Sequence, residues 1–115
     1  MKYMLLIYGN DETWAALKAD GMDAVMERHR ELFEETKAAG EFIESHGLTT
    51  RNARIVQLHD GVSTVTDGPF TESKEVLAGY YLLECSLDRA TEIAARLPEA
   101  PYSPIEIREV PEEEE

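Results

Sequence analysis

An α+β domain, with helices laid on a mainly antiparallel sheet, is what this sequence predicts, and three patterns predict it. Stretches of strand-like and helix-like periodicity follow one another in the order strand, helix, three strands, a long strand, helix, strand. Asp60-Gly61 links two of the strands by a two-residue turn, which imposes antiparallel pairing. Two of the strands are apolar on both faces, so the sheet needs a cover on each side.

Lys2 to Gly9 reads as the first strand, because it is rich in Tyr, Leu and Ile and ends at Gly9-Asn10. Tyr3, Leu5 and Ile7 point one way, and Met4, Leu6 and Tyr8 the other. From Asp11 to Ala39 the period turns helical, with an interruption at Asp20-Gly21 where glycine weakens a helix by about 1 kcal/mol. At about 100° per residue, Met22, Val25, Met26, His29, Leu32, Phe33 and Thr36 share one arc, with His29 near its centre. Gly40 caps this helix in a left-handed conformation, and Glu41 to Leu48 follows as a second strand. Arg54 to His59 and Val62 to Thr66 flank the type I′ turn, so His59 faces Val62, Gln57 faces Thr64 and Ile55 faces Thr66. Val56, Leu58 and Val65 then share the other face, which is expected to belong to the core. Beyond the Asp67-Gly68-Pro69-Phe70 turn, Val76 to Cys85 is the long strand, with Tyr80 and Leu82 opposed to Tyr81 and Leu83. Ser86 to Leu97 is a short helix striped by Leu87, Ala90, Ile93, Ala94 and Leu97 and closed by Pro98, and Ile105 to Val110 is the last strand.

Two helices cover one face of a five- or six-stranded sheet. The opposite face would expose Tyr and Leu side chains in a patch that monomers seldom tolerate. A second copy of the chain is the economical cover, so a homodimer is expected, with its sheets face to face or curled into a shared barrel. The space between the sheets is then the natural site for a small-molecule ligand.

Composition narrows the function. The 115 residues, 43% hydrophobic, suit one domain over residues 1–110. Glu112 to Glu115 have no apolar anchor, so residues 111–115 form a disordered acidic tail. Lys and Arg number 11 against 24 acids, a net charge of −13, which argues against direct nucleic-acid binding. The charge sits unevenly, with −6 over Asp11 to Glu44 and −5 over Glu109 to Glu115, and describes a solvated helix face and a loose tail. No apolar run is long enough to span a membrane, and the N-terminal run lacks the length and cleavage site of a signal peptide. A lone Cys85 and three scattered histidines offer neither an internal disulfide nor zinc spacing, so the expectation is a cytoplasmic protein without metal. Nucleotide-loop, HExxH and EF-hand motifs are absent, and no cofactor is expected.

The segment Asp67-Gly68-Pro69-Phe70-Thr71-Glu72-Ser73-Lys74-Glu75, followed by Gly79-Tyr80-Tyr81, Ala90, Pro98 and Ile105-Glu106-Ile107-Arg108, resembles the DGPF branch of the YCII-related proteins. The opening Tyr3-Met4-Leu5-Leu6-Ile7-Tyr8 fits the same pattern, so the resemblance covers nearly the whole chain. It implies a ferredoxin-like fold of the dimeric α/β-barrel type. Within the wider family some members look like small-molecule lyases or isomerases, a dehydrochlorinase among them, with a His–Asp proton-transfer pair. Other DGPF proteins are linked with extracytoplasmic-function sigma factors, which implies regulation instead.

Six residues are candidates for a site, each with a structural alternative. His29, followed by Leu32 and Gly40, resembles the family's helical histidine, and an imidazole can take and return a proton near neutral pH. Its alternative is a core histidine packed among Met26, Leu32 and Phe33. Asp67 is the carboxylate that would orient His29, or else a turn residue whose side chain serves its own backbone. Phe70, Glu72 and Lys74 would line a ligand, Glu72 as an acid or base and Lys74 as a grip for an anion; otherwise Phe70 plugs the sheet edge and the charges are a solvated loop. Arg108 could grip a carboxylate, or pair with Glu106 to pin the last strand. His46 has a weaker claim on the cleft, His59 sits beside the hairpin turn, and Cys85 reads as a buried thiol. Two functions follow: cofactor-free proton transfer in a small-molecule cleft, of isomerase or lyase type, or a non-catalytic regulatory or protein-interaction domain tied to transcription initiation through a sigma factor.

Overall fold

The structure, a computed structural model, describes residues 1–69 and 75–112. Its elements are β1 (Lys2–Gly9), α1 (Asp11–Asp20), α2 (Met22–Ala38), β2 (Phe42–Gly47), β3 (Arg54–His59), β4 (Val62–Asp67), β5 (Val76–Glu84), α3 (Leu87–Ala95) and β6 (Ile105–Val110). Four strands form one antiparallel sheet in the order β2-β5-β1-β6, and β3 and β4 form a separate two-stranded sheet. The α+β class and the antiparallel sheet therefore stand, and two details differ from expectation.

The first is the helix count. Gly21, at φ 101°, turns the chain between α1 and α2, so the helical stretch is two helices and the described residues hold three in all. Asn10 starts α1, its Oδ1 accepting the Thr13 backbone N–H at 2.9 Å. Gly40, at φ 75°, ends α2: the Gly40 N–H bonds the Lys37 carbonyl and the Glu41 N–H the Thr36 carbonyl, a Schellman pair.

The second is the hairpin. Its register is the expected one, His59 opposite Val62, Gln57 opposite Thr64 and Ile55 opposite Thr66, and Asp60 and Gly61 both take the positive φ of a type I′ turn. Its apolar face is not core. Val56, Leu58 and Val65 are exposed, because the hairpin leaves the main sheet as an arm closed at its base by the Gly68 N–H on the Ala53 carbonyl at 3.0 Å. The expected five- or six-stranded sheet is thus four strands and an arm.

The core lies between the helices and one sheet face. Tyr3, Leu5, Ile7, Tyr81 and Leu83 meet Leu32, Ala90, Ile93, Ala94 and Leu97 there. The stripe on α2 is narrower than expected: Val25, Leu32 and Thr36 are buried, while Met22, Met26 and Phe33 are exposed, and on α3 Leu87 is exposed too. Arg89 joins the helical layer to the sheet edge by ion pairs to Glu35 and Glu41, and Arg96 adds a pair to the same Glu35. Met4, Leu6, Tyr8, Tyr80 and Leu82 form the second sheet face, half-buried and, among the described residues, without a helix over it.

Candidate functional site

Three elements meet around His29. β5 places Tyr81 toward the helices, α2 brings His29 over it, and the turn after α3 supplies Glu99. That turn is tied by the Tyr102 and Ser103 N–H groups on the Glu99 carbonyl, at 2.9 and 3.0 Å, and a buried Thr13–Ser103 hydroxyl pair at 2.6 Å fastens it to α1. The His29 Nδ1 lies 2.7 Å from the Tyr81 hydroxyl, and its Nε2 lies 2.9 Å from the Glu99 Oε2. The two rings stack, 5.9 Å between centroids and 15° between planes. An ionised carboxylate only accepts, so Nε2 carries the proton facing Glu99; in the neutral ring Nδ1 is then the free base and accepts from Tyr81.

Burial first, and the Glu99 charge second, push the Tyr81 phenol up to about 12, against a smaller opposing pull from a Ser45 hydrogen bond. Tyr81 therefore stays a proton donor throughout the neutral range. Glu99 is buried, and its Oε1 has no hydrogen-bond partner among the described residues. The carboxylate's hydrogen bonding is thus concentrated on His29.

His29, Tyr81 and Glu99 stand on the wall of a cleft of about 790 Å³ that opens at the end of the sheet, between the start of α1 and the strands β2 and β5. Trp14, Tyr80 and Leu48 give it apolar walls, and His46 also lines it. Gly9 is needed beside Trp14: a Cβ there would stand 2.4 Å from the indole. A second, shallower cleft shares Met26, His29, Ser45 and Tyr81 with the first, so the His29–Tyr81 pair is reached from two sides.

His29 and Asp67 are not brought together. Both ring nitrogens are engaged by Tyr81 and Glu99, whereas Asp67 ends β4 with its side chain 97% exposed and 3.9 Å from Arg54. The carboxylate that meets His29 is Glu99, a residue that sequence reasoning missed; its one signal is its place in the turn Pro98-Glu99-Ala100-Pro101. Arg108 lies on the sheet face away from the helices, paired with Glu106 at 3.6 Å, and does not line the cleft. His59 is exposed at the arm's tip. Phe70, Glu72 and Lys74 lie outside the described residues, as do Glu113–Glu115 of the tail. Among the described residues no three His, Cys, Asp or Glu side chains gather as a metal site, and no helix is long and apolar enough to cross a membrane.

Fold and site together define a small α+β domain in which a helix-borne histidine, linked to a phenol and a buried carboxylate, faces an open cleft. The chain belongs to the YCII-related domain family, which matches residues 1–114. It is also 32% identical over 102 residues to "Uncharacterized protein R00369" of Rhizobium meliloti (strain 1021), a match covering 87% of this chain and 82% of that relative.

Proposed function

We propose that this chain is a cofactor-free proton-transfer protein, isomerase- or lyase-like, acting on a small molecule and working in the cytoplasm as a homodimer through its helix-free sheet face. What carries the reading is the His29 imidazole, held at 2.7 and 2.9 Å between a phenol and a buried carboxylate on the wall of an open cleft. Glu99 holds the proton on Nε2 and stabilises the imidazolium once Nδ1 is protonated. When substrate enters, the Tyr81 hydroxyl turns its proton from the His29 Nδ1 to an oxygen of the substrate as negative charge develops there. This frees the Nδ1 lone pair to act as the base, and the high pKa keeps the phenol in donor form. His29 takes the proton leaving carbon and returns it to a second atom of the same molecule in an isomerisation, or to the leaving group in an elimination. Nothing is oxidised or reduced. The alternative, an interaction domain docking on a sigma factor, leaves an open cleft with an ordered imidazole unexplained.

The test is exchange of carbon-bound protons in D2O, followed by proton NMR, over small ketones, lactones and β-substituted carbonyl compounds. Wild-type protein accelerates exchange in at least one class, and His29→Ala lowers that rate by about 100-fold or more. Exchange that persists unchanged in both His29→Ala and Glu99→Gln removes the proposal.

A further inference from the structure

The arm is the part of this molecule that the cleft chemistry does not use. Every residue of β3 and β4 except half-buried Ile55 is exposed, on both faces. On the apolar face Val56 is 62%, Leu58 69% and Val65 57% exposed. An isolated two-stranded hairpin is at best marginally stable in water, so a persistent arm needs a surface to lie on. Among the described residues no such surface is evident: β3 and β4 pack mainly on each other and run along no other element to a comparable extent. The residues outside the description, Phe70–Lys74 and Glu113–Glu115, hold one apolar side chain, Phe70, which is too little to cover three.

The arm's reach shows in the shape. The radius of gyration is 16.2 Å, where a compact chain of this length has about 13 Å, and the molecule is a slab of 49 × 44 × 19 Å. The same slab carries a second uncovered apolar surface, around Met4, Leu6 and Leu82 on the helix-free sheet face. A two-fold axis can satisfy both, because each copy offers one of each.

Area and charge agree. Four strands about 4.8 Å apart and about 20 Å long project on the order of 400 Å², below the roughly 800 Å² per partner of a stable interface; a two-stranded arm adds on the order of 200 Å² of projected area, and side-chain relief enlarges both. The arm has Arg54 against Asp60 and Asp67, and the open face has Lys2 and Arg108 against Glu44, Glu84 and Glu106, so both are close to neutral. A net charge of −4 lies on α1 and α2, on the other side of the sheet, where it does not oppose self-association, and a further −5 belongs to Glu109 to Glu115.

We propose that the β3–β4 arm is a clasp for a second copy of this chain: the Val56, Leu58 and Val65 face of each arm lies on the open sheet face of the other copy, over Met4, Leu6 and Leu82. The proposal rests on the homodimer reading above and adds its mechanism.

Light scattering on the full chain and on the triple variant Val56→Ser, Leu58→Ser, Val65→Ser gives the first readout. The wild type has twice the 13.0 kDa chain mass, and the variant dissociates at concentrations at least ten times higher. A spin label at Leu58→Cys in a Cys85→Ser background gives the second, in which label-bearing chains mixed with unlabelled, isotope-enriched chains broaden the enriched chain's Leu6 and Leu82 amide signals. This label also decides the matter if the triple variant fails to fold. A wild-type mass of 13.0 kDa overturns the dimer and the clasp together. A dimer equally tight in the triple variant, or broadening confined to α2 and α3 amides, overturns the clasp and leaves the dimer.

Discussion

Replacing Tyr81 by Phe keeps the ring that packs in the core and removes the hydroxyl that meets His29. Near neutral pH the loss of this hydrogen bond, with Nδ1 left unpaired in a half-buried position, costs about 1–2 kcal/mol. The sharper consequence comes at high pH. The phenol's ordinary value of 10.0 is raised to about 12 in the folded chain. Below 10.0 both folded and unfolded chains hold the proton, and the group makes stability no different with pH. Above 10.0 the unfolded chain gives up its proton while the folded chain keeps it, so stability falls until the pH passes about 12. At about 1.4 kcal/mol for each tenfold change in acidity, that interval amounts to at most about 3 kcal/mol, and water in the cleft that Tyr81 lines screens part of it. Urea unfolding of wild type and Tyr81→Phe across the alkaline range isolates the term, since the other tyrosines, lysines and arginines titrate alike in both. The wild type loses about 1–3 kcal/mol more than the variant, and absorbance at 295 nm shows one late phenol fewer in the variant. Parallel alkaline limbs with the same late phenol in both proteins would show that Tyr81 is not buried beside Glu99.

Three further outcomes follow from the same structure. Glu99→Gln leaves the fold intact but removes the acceptor charge at Nε2, so nitrogen-15 NMR of the His29 ring changes from one tautomer to a mixture; an unchanged spectrum denies Glu99 its orienting role. Gly9→Ala drives a methyl into the indole of Trp14, the chain's single tryptophan, displacing it from the cleft wall with a red-shifted emission and a loss of about 1–3 kcal/mol in chemical unfolding. Hydrogen bonds from Arg96 first and Arg89 second hold Glu35 down at about 2. Its stabilising contribution is therefore present above the ordinary 4.5 and disappears as pH falls toward 2, and Glu35→Gln flattens that acid limb in a series of urea midpoints.

Local chemistry was the legible part of the fold. Gly40 and Asp60-Gly61 announce their positive φ because few other residues tolerate it, and the alternation in Arg54 to Thr66 then leaves one register. What periodicity does not carry is the destination of a face. Val56, Leu58 and Val65 obey the rule for a core-facing strand, but a two-stranded unit can satisfy it against another molecule as well as against its own chain. The α2 stripe went astray for a related reason. Seven positions share the arc, yet the cleft opens along one edge of it, so Met26 and Phe33 line a depression while Val25, Leu32 and Thr36 seal the core.

His29 could be singled out from the sequence because a polar ring in the middle of an apolar stripe must be either satisfied or used. Its partner could not. Asp67 stood in a distinctive segment, while Glu99 stood in a turn between prolines some seventy residues from the histidine, and nothing local marks an acid that meets its partner only when the turn after α3 docks on α1 and α2. A glutamate on a surface turn is ordinarily solvated, and burying it without a cation is costly. The fold bears that cost at Glu99, with one oxygen unpartnered among the described residues, and the benefit falls on a single atom, the His29 Nε2. A carboxylate kept only for stability would be better replaced by an apolar side chain of similar size, whereas one that must hold an imidazole at a fixed angle to a phenol has no apolar substitute. Glu99→Leu therefore separates the two purposes: a variant as stable as wild type, with the His29 ring no longer held against Tyr81 in its NMR spectrum, places the acid with the site, whereas a loss of several kcal/mol with the ring still in place assigns it to the architecture of the turn.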